Sequence, residues 1–276
     1  MKLLKGKPIA DKILIGLRKK ILKLKTKPTL GVVFIGEDKA SKIYINLKRQ
    51  AAKKIGMDFF EFRFKAGVGE NKVIDLIKRM NRNRQVSGVI VQLPLPKKYN
   101  TQKIINAIDP KKDVDGFHPK NNYYPPVFPQ AIMELIKSTH VKLKNKKSVI
   151  IAHSKIFGEA MCEFLSQKKI NSKCLLEKEI RKNLAHIKKA DILISAVGKP
   201  GMIKVEMVKK GAIIIDGGIT KKGKKVLGDV DFNSVKDKAA YISPVPGGVG
   251  PVTVACLLRN TYLVFRKNGN EVSRYR

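Results

Sequence analysis

"TLGVVFIGEDKASKIYINLKRQAAKKIGM", residues 29–57, decides the fold class. Residues 29–36 form a continuous apolar run rich in β-branched and aromatic side chains, the pattern of a strand covered on both faces. After Asp38 the pattern changes to a helical one over 39–54, with Asp38 placed to cap its N-terminus. Ile43, Leu47, Ala51 and Ile55 recur at helical spacing and are the expected buried stripe. A buried strand feeding straight into an amphipathic helix is the first half of a βαβ unit.

The alternation continues along the chain. Further β-rich runs occupy 59–64, 87–95, 147–152, 191–196 and 211–216, and helical patterns occupy 7–24, 71–82, 128–138, 155–168 and 251–266. Strands alternating with helices predict an α/β protein built on parallel sheets. The Pro- and Tyr-rich stretch within "DPKKDVDGFHPKNNYYPPVFP" (109–129) marks a boundary. The expected division is residues 1–120 plus 251–276 as one domain and 121–250 as the other. The last helix, through Val254, Leu257, Leu258, Leu263 and Val264, is expected to pack back on the first domain.

Composition narrows the function classes. A chain of 276 residues, 43% hydrophobic, can bury ample core. Its net charge of +36 raises the question of a nucleic-acid partner, but the lysines spread from Lys2 to Lys267 instead of gathering in an arm or stripe. A solvated basic surface is the preferred reading, and one that attracts small anionic substrates. Cys162, Cys174 and Cys256 are odd in number and far apart, so neither a disulfide framework nor a zinc site is implied. No apolar run approaches the roughly 20 residues that span a bilayer. The N-terminal stretch, broken by charge, does not read as a signal peptide. A cytoplasmic setting is expected.

Three segments carry chemistry. Tyr44 and Lys48 are four apart and share one helix face, at the edge of the apolar stripe. Taken alone this spacing is more often structural than catalytic. "GVIVQLPLP" (88–96) ends an apolar strand on Gln92 and Leu93, where open α/β sheets bind ligands. "DPKKDVDGFHP" sets Asp113 and Asp115 in a turn ending at Gly116, too few acids for a metal site. Finally "SPVPGGVGPVT" (243–253) is a rigid loop of little bulk before a helix, which lets backbone approach a flat ligand.

Together these segments resemble the bifunctional methylenetetrahydrofolate dehydrogenase/methenyltetrahydrofolate cyclohydrolases over nearly the whole chain. The likeness includes "KGKPIA", residues 33–57, "GVIVQLPLP", "DPKKDVDGFHP", "ADILISAVGKPGMI", "GAIIIDGGI", "LGDVDF" and "SPVPGGVGPVTVACLLRNT". The resemblance implies a homodimer of two-domain subunits, an N-terminal α/β catalytic domain and a Rossmann-like nucleotide domain, with a tetrahydrofolate derivative as substrate. It implies that Lys48 serves the cyclohydrolase step beside Tyr44 and Gln92, and that Asp115 holds the pterin. Leu93, Pro246, Gly247 and Gly248 would border the folate. NADP is the implied cofactor, with NAD open, at Ala152, His153, Ser154, Glu177 and Ile219; no metal is implied.

The nucleotide half departs from the family pattern. "AHSKIFGEA" (152–160) carries Ala152 for a glycine, His153 for an arginine, Phe157 for a valine and Ala160 for a proline, while Ser154 and Gly158 match. In "PVFPQA" (126–131), Val127, Phe128 and Ala131 replace Cys, Thr and Gly. Glu177 stands where an acid bonds a ribose hydroxyl in NAD-specific folds. The leading expectation is the bifunctional enzyme. The alternatives are a cyclohydrolase with an inactive dehydrogenase half and, last, a basic non-catalytic nucleic-acid-binding derivative.

Overall fold

The computed structural model describes residues 1–223 and 225–272. In chain order its first half holds β1 (Lys2–Leu3), α1 (Gly6–Ile21), β2 (Thr29–Ile35), α2 (Lys39–Ile55), β3 (Asp58–Phe64), α3 (Glu70–Arg82), β4 (Gly88–Val91) and α4 (Thr101–Ile105). Then follow α5 (Val127–Lys137), β5 (Lys147–Ala152), α6 (Lys155–Ser166), β6 (Asn171–Leu176), α7 (Leu184–Ile187) and β7 (Ile192–Ala196). The chain finishes with β8 (Ile213–Asp216), β9 (Thr220–Lys222), β10 (Lys225–Leu227), α8 (Phe232–Val235), β11 (Tyr241–Ile242) and α9 (Val249–Val272). The chain is α/β, as expected, and divides into two units.

One unit holds residues 10–127 and the chain from 254 on. Its sheet is parallel in the order β3-β2-β4. Every residue of the central strand β2 is buried, which is why that run lacks polar alternation. The amphipathic α3 covers it, with Val73, Ile77 and Met80 against Val33, Ile35, Val89 and Val91. From α9, Asn260 Nδ2 donates to the carbonyls of Val114 (3.0 Å) and Pro125 (3.2 Å), tying the last helix to this unit. Val254, Leu257, Leu258 and Val264 are buried as expected; Leu263 is not (44% exposed), and Tyr262 is buried beside it.

The stripe expected on α2 is rotated. Asp38 does cap the helix, accepting from the Ser41 N–H at 2.7 Å, and Gly56 ends it at φ +78°. Yet Ile43 and Leu47 are exposed (56% and 46%), and of the expected four only Ile55 is fully buried. The buried line is Ser41, Ile45, Ala52 and Ile55. Spacings of three and four place Lys48 in that same line, between Ile45 and Ala52. Lys48 is therefore a polar break inside the buried stripe.

The other unit holds residues 1–9 and 128–253. The first nine residues differ from the expected division because β1 pairs in parallel with β11, Lys2 opposite Tyr241 and Leu3 opposite Ile242. The six-stranded sheet runs β1-β11-β8-β7-β5-β6. After residue 128 the first strand is β5, and the chain turns outward to β6 before returning to β7 on the other side of β5. That reversal is the switch point at which doubly wound sheets bind ligands, beyond the strands' carboxyl ends.

Candidate functional site

In the first unit three side chains converge at one edge of the small sheet. Gln92 follows β4 directly and its N–H donates to the Val33 carbonyl at 2.8 Å, so the amide is fixed at the carboxyl end of the sheet. Lys48 Nζ donates to Gln92 Oε1 at 2.8 Å, and Gln92 Nε2 donates to the Leu93 carbonyl at 2.6 Å. Asp115 arrives from the turn after α4. The Val89 N–H donates to the Lys112 carbonyl at 2.8 Å, and Asp113 bridges Val89 in parallel, so the chain there runs in the same direction as β4 toward Gln92.

Asp113, one of two acids the sequence left as turn formers, builds that turn. Its carboxylate, 1% exposed, accepts from the N–H groups of Asp115 (3.2 Å), Gly116 (3.0 Å) and His118 (2.8 Å) and from Asn121 Nδ2 (3.0 Å). Lys112, also buried, donates from Nζ to the carbonyls of Met80 (3.0 Å) and Asn83 (2.7 Å), holding the loop to the end of α3. Gly116 is at φ +86°, and a Cβ there would meet the backbone of Pro126.

The electrostatics suit proton transfer. Burial lowers the Lys48 pKa, and the Asp115 charge partly restores it. Burial pushes Asp115 up to about 6, with Lys48 pulling it back and Asp113 adding to the rise. Burial also raises the Tyr44 hydroxyl, which lies half-buried one turn before Lys48. A desolvated ammonium gives up its proton more readily than a solvated one, and a carboxyl at about 6 changes protonation near neutrality.

In the second unit the loops after β5, β7 and β8 share the carboxyl edge. Ser154 caps α6, accepting from the Phe157 N–H at 3.4 Å, and leaves the first-turn amides at the switch point. The His153 N–H donates to the Ala196 carbonyl at 3.1 Å. Gly158 lets α6 lie against β6, since a Cβ there would overlap Cys174 Sγ. Ala152 is fully buried beneath that contact, so it shapes the turn from below. Phe128 rests on Gly217 and meets Phe157 edge-on at 5.3 Å, with His153 at 5.8 Å from Phe157. Ile219 is 51% exposed, and Glu177 follows β6 directly. The helix N-terminus, the glycine-permitted helix approach and the open switch point fit a dinucleotide.

Two buried acids that the sequence reading passed over hold these loops. Asp229 accepts from Ser195 Oγ (2.7 Å) and from the N–H groups of Val197 (2.7 Å), Gly198 (2.9 Å) and Lys199 (2.7 Å). Asp216 accepts from the N–H groups of Gly218, Asp229 and Val230, each at 3.0 Å, and burial pushes its pKa up to about 6. The Pro246-Gly247-Gly248 loop also belongs to this unit. The Gly6 N–H donates to the Gly247 carbonyl at 2.7 Å, and a Cβ on Gly6 would overlap the Gly248 carbonyl.

A doubly wound dinucleotide-type unit, joined to an α/β unit carrying a lysine–amide–carboxylate site, defines a two-unit, dinucleotide-binding enzyme. The chain belongs to the tetrahydrofolate dehydrogenase/cyclohydrolase family: the family's catalytic domain matches residues 4–115 and its NAD(P)-binding domain residues 126–269. It is 40% identical over 287 residues to the bifunctional protein FolD of Nautilia profundicola, covering 99% of this chain and 100% of that protein. The structure of the bifunctional FolD enzyme of Campylobacter jejuni matches with a TM-score of 0.92 at 34% identity, covering 97% of this chain and 99% of that one. The Trypanosoma brucei FolD enzyme, solved with NADP and an inhibitor, matches with a TM-score of 0.89 at 29% identity, covering 96% and 97%.

Proposed function

We propose that this chain oxidises 5,10-methylenetetrahydrofolate with a nicotinamide dinucleotide and hydrolyses the resulting 5,10-methenyl cation to 10-formyltetrahydrofolate, with Lys48 as the proton carrier of the second step. The observation that supports this most is the Lys48–Gln92 hydrogen bond at 2.8 Å, within electrostatic reach of Asp115. When bound, the nicotinamide ring takes the hydride from the methylene carbon. The residues that would hold its dinucleotide are His153 and Ser154, on the turn supported by Ala152, with Glu177 after β6 and Ile219 after β8.

Hydrolysis needs a proton removed from attacking water and a proton delivered to N5 as its bond to the one-carbon unit breaks. Lys48, with its ammonium disfavoured by burial, serves both by passing through the neutral amine. Gln92 orients that nitrogen. Tyr44 lies on the same helix face and contributes a hydroxyl at the site. Asp115 accepts from the pterin's amino edge, and Leu93 supplies apolar surface for the folate.

The chain acts as a homodimer. β3 is a sheet edge presenting Phe60 (42% exposed), and α2 presents Ile43 and Leu47. A second copy is the partner that such an apolar patch suits. Among the described residues no helix is long and apolar enough to cross a membrane. Among the described residues Cys162, Cys174 and Cys256 form no disulfide, in keeping with a reducing cytoplasm. The test is hydrolysis of added methenyltetrahydrofolate without any nicotinamide. Acceleration over buffer of at least about 100-fold is expected from positioned proton transfer, and a buffer-level rate contradicts the assignment.

A further inference from the structure

Beyond β6 the chain sets two opposite charges against each other. Glu177 opens a short 3-10 turn, Glu177–Glu179, immediately after the strand. Lys199 comes from the other side of β5, three residues past the end of β7, and its Nζ donates to Glu177 Oε1. The pair thus spans the carboxyl end of β5, over the switch point. Its backbone support is rigid, because the Lys199 N–H is held by Asp229 at 2.7 Å and Asp229 is fully buried. The side chains themselves are open to solvent, 41% exposed for Glu177 and 60% for Lys199. Exposed ion pairs open at little cost.

In sheets of this kind an acid at the end of the second strand bonds the ribose 2′-hydroxyl, whereas a cation there accommodates a 2′-phosphate. This chain offers both at one place. We propose that Glu177 and Lys199 form a cofactor selector: with an unphosphorylated ribose Glu177 accepts from the 2′-hydroxyl, and with a 2′-phosphate Lys199 leaves the carboxylate and binds the phosphate. The inference rests on the dinucleotide reading of this unit. It assigns to Lys199 the anchoring that His153, in the turn after β5, supplies only as a small imidazole rather than a bidentate guanidinium. Arg181 and Lys182, in the following turn, add positive field that favours the extra phosphate.

The experiment is equilibrium binding to the full chain by calorimetry, using adenosine 2′,5′-bisphosphate and adenosine 5′-monophosphate as probes. Lys199→Met should weaken the bisphosphate roughly tenfold or more, the scale of one lost charge-assisted hydrogen bond, and leave the monophosphate unchanged. Glu177→Gln should tighten the bisphosphate and weaken the monophosphate. Those opposite signs would support the selector, because general damage to the fold moves both probes the same way. Equal losses for both probes in Lys199→Met, or no loss, would overturn the selector alone. Wild-type chain that binds neither probe and neither intact dinucleotide would overturn the dinucleotide reading as well.

Discussion

Lys48→Met removes the nitrogen that the hydrolysis argument depends on. Three effects follow from its surroundings. Loss of proton transfer should lower the hydrolytic kcat by about 10²–10⁴-fold, which is about 3–5 kcal/mol of barrier. Loss of the Gln92 hydrogen bond costs about 1–3 kcal/mol of stability, offset by relief of the desolvated ammonium, so the chain should still fold. Asp115 loses the cation that pulls its carboxyl down and should titrate above its present value of about 6. Lys48→Arg separates charge from chemistry: arginine keeps the positive charge but does not give up its proton near neutrality. It should restore the Asp115 titration while leaving hydrolysis as slow as in Lys48→Met. The assay is loss of methenyltetrahydrofolate absorbance, with calorimetric folate binding as the control for fold. Wild-type hydrolysis in either variant would rule out Lys48 as the proton carrier.

Other outcomes follow from the same geometry. Gly6→Ala drives a methyl into the Gly248 carbonyl, so it should cost about 1–3 kcal/mol of stability, read by thermal unfolding; an unchanged melting temperature contradicts the close approach. Asp115 has a folded pKa of about 6 against an ordinary 3.8; its contribution to stability is therefore complete below the lower value and lost as pH rises through the upper one. Stability of the wild type relative to Asp115→Asn should accordingly fall between about pH 4 and pH 7, and a difference that rises over that range contradicts the burial argument. Phe60→Glu puts a charge on the exposed edge strand and, on the proposed homodimer, should shift sedimentation toward the monomer; wild type that already sediments as a monomer, or a variant dimer as stable as wild type, contradicts that interface.

Strand positions were legible because buried parallel strands announce themselves as unbroken apolar runs, as at Thr29–Ile35 and Ile213–Asp216. The phase of α2 was not, because Ile43, Leu47, Ala51 and Ile55 repeat every four residues as convincingly as the true line through Ile45, Ala52 and Ile55. Periodicity reports that a helix has an apolar side but not which of two apolar sides meets the sheet. The rotated phase puts Lys48 in the buried line, a stronger signal than the Tyr–Lys spacing alone. β1 and β11, two residues each, are too short to show a period, so the assignment of the first nine residues was out of reach. Asp113, Asp216 and Asp229 act through backbone N–H groups. Their importance depends on burial that composition does not reveal, although each sits in a motif that the resemblance singled out.

One chain is expected both to oxidise and to hydrolyse its folate substrate. Turnover of 5,10-methylenetetrahydrofolate by the purified chain, run in parallel with NADP and with NAD, tests it most directly. Accumulation of reduced nicotinamide followed by 10-formyltetrahydrofolate is the expected result. Hydrolysis of added methenyltetrahydrofolate with no reduction of either dinucleotide would contradict it.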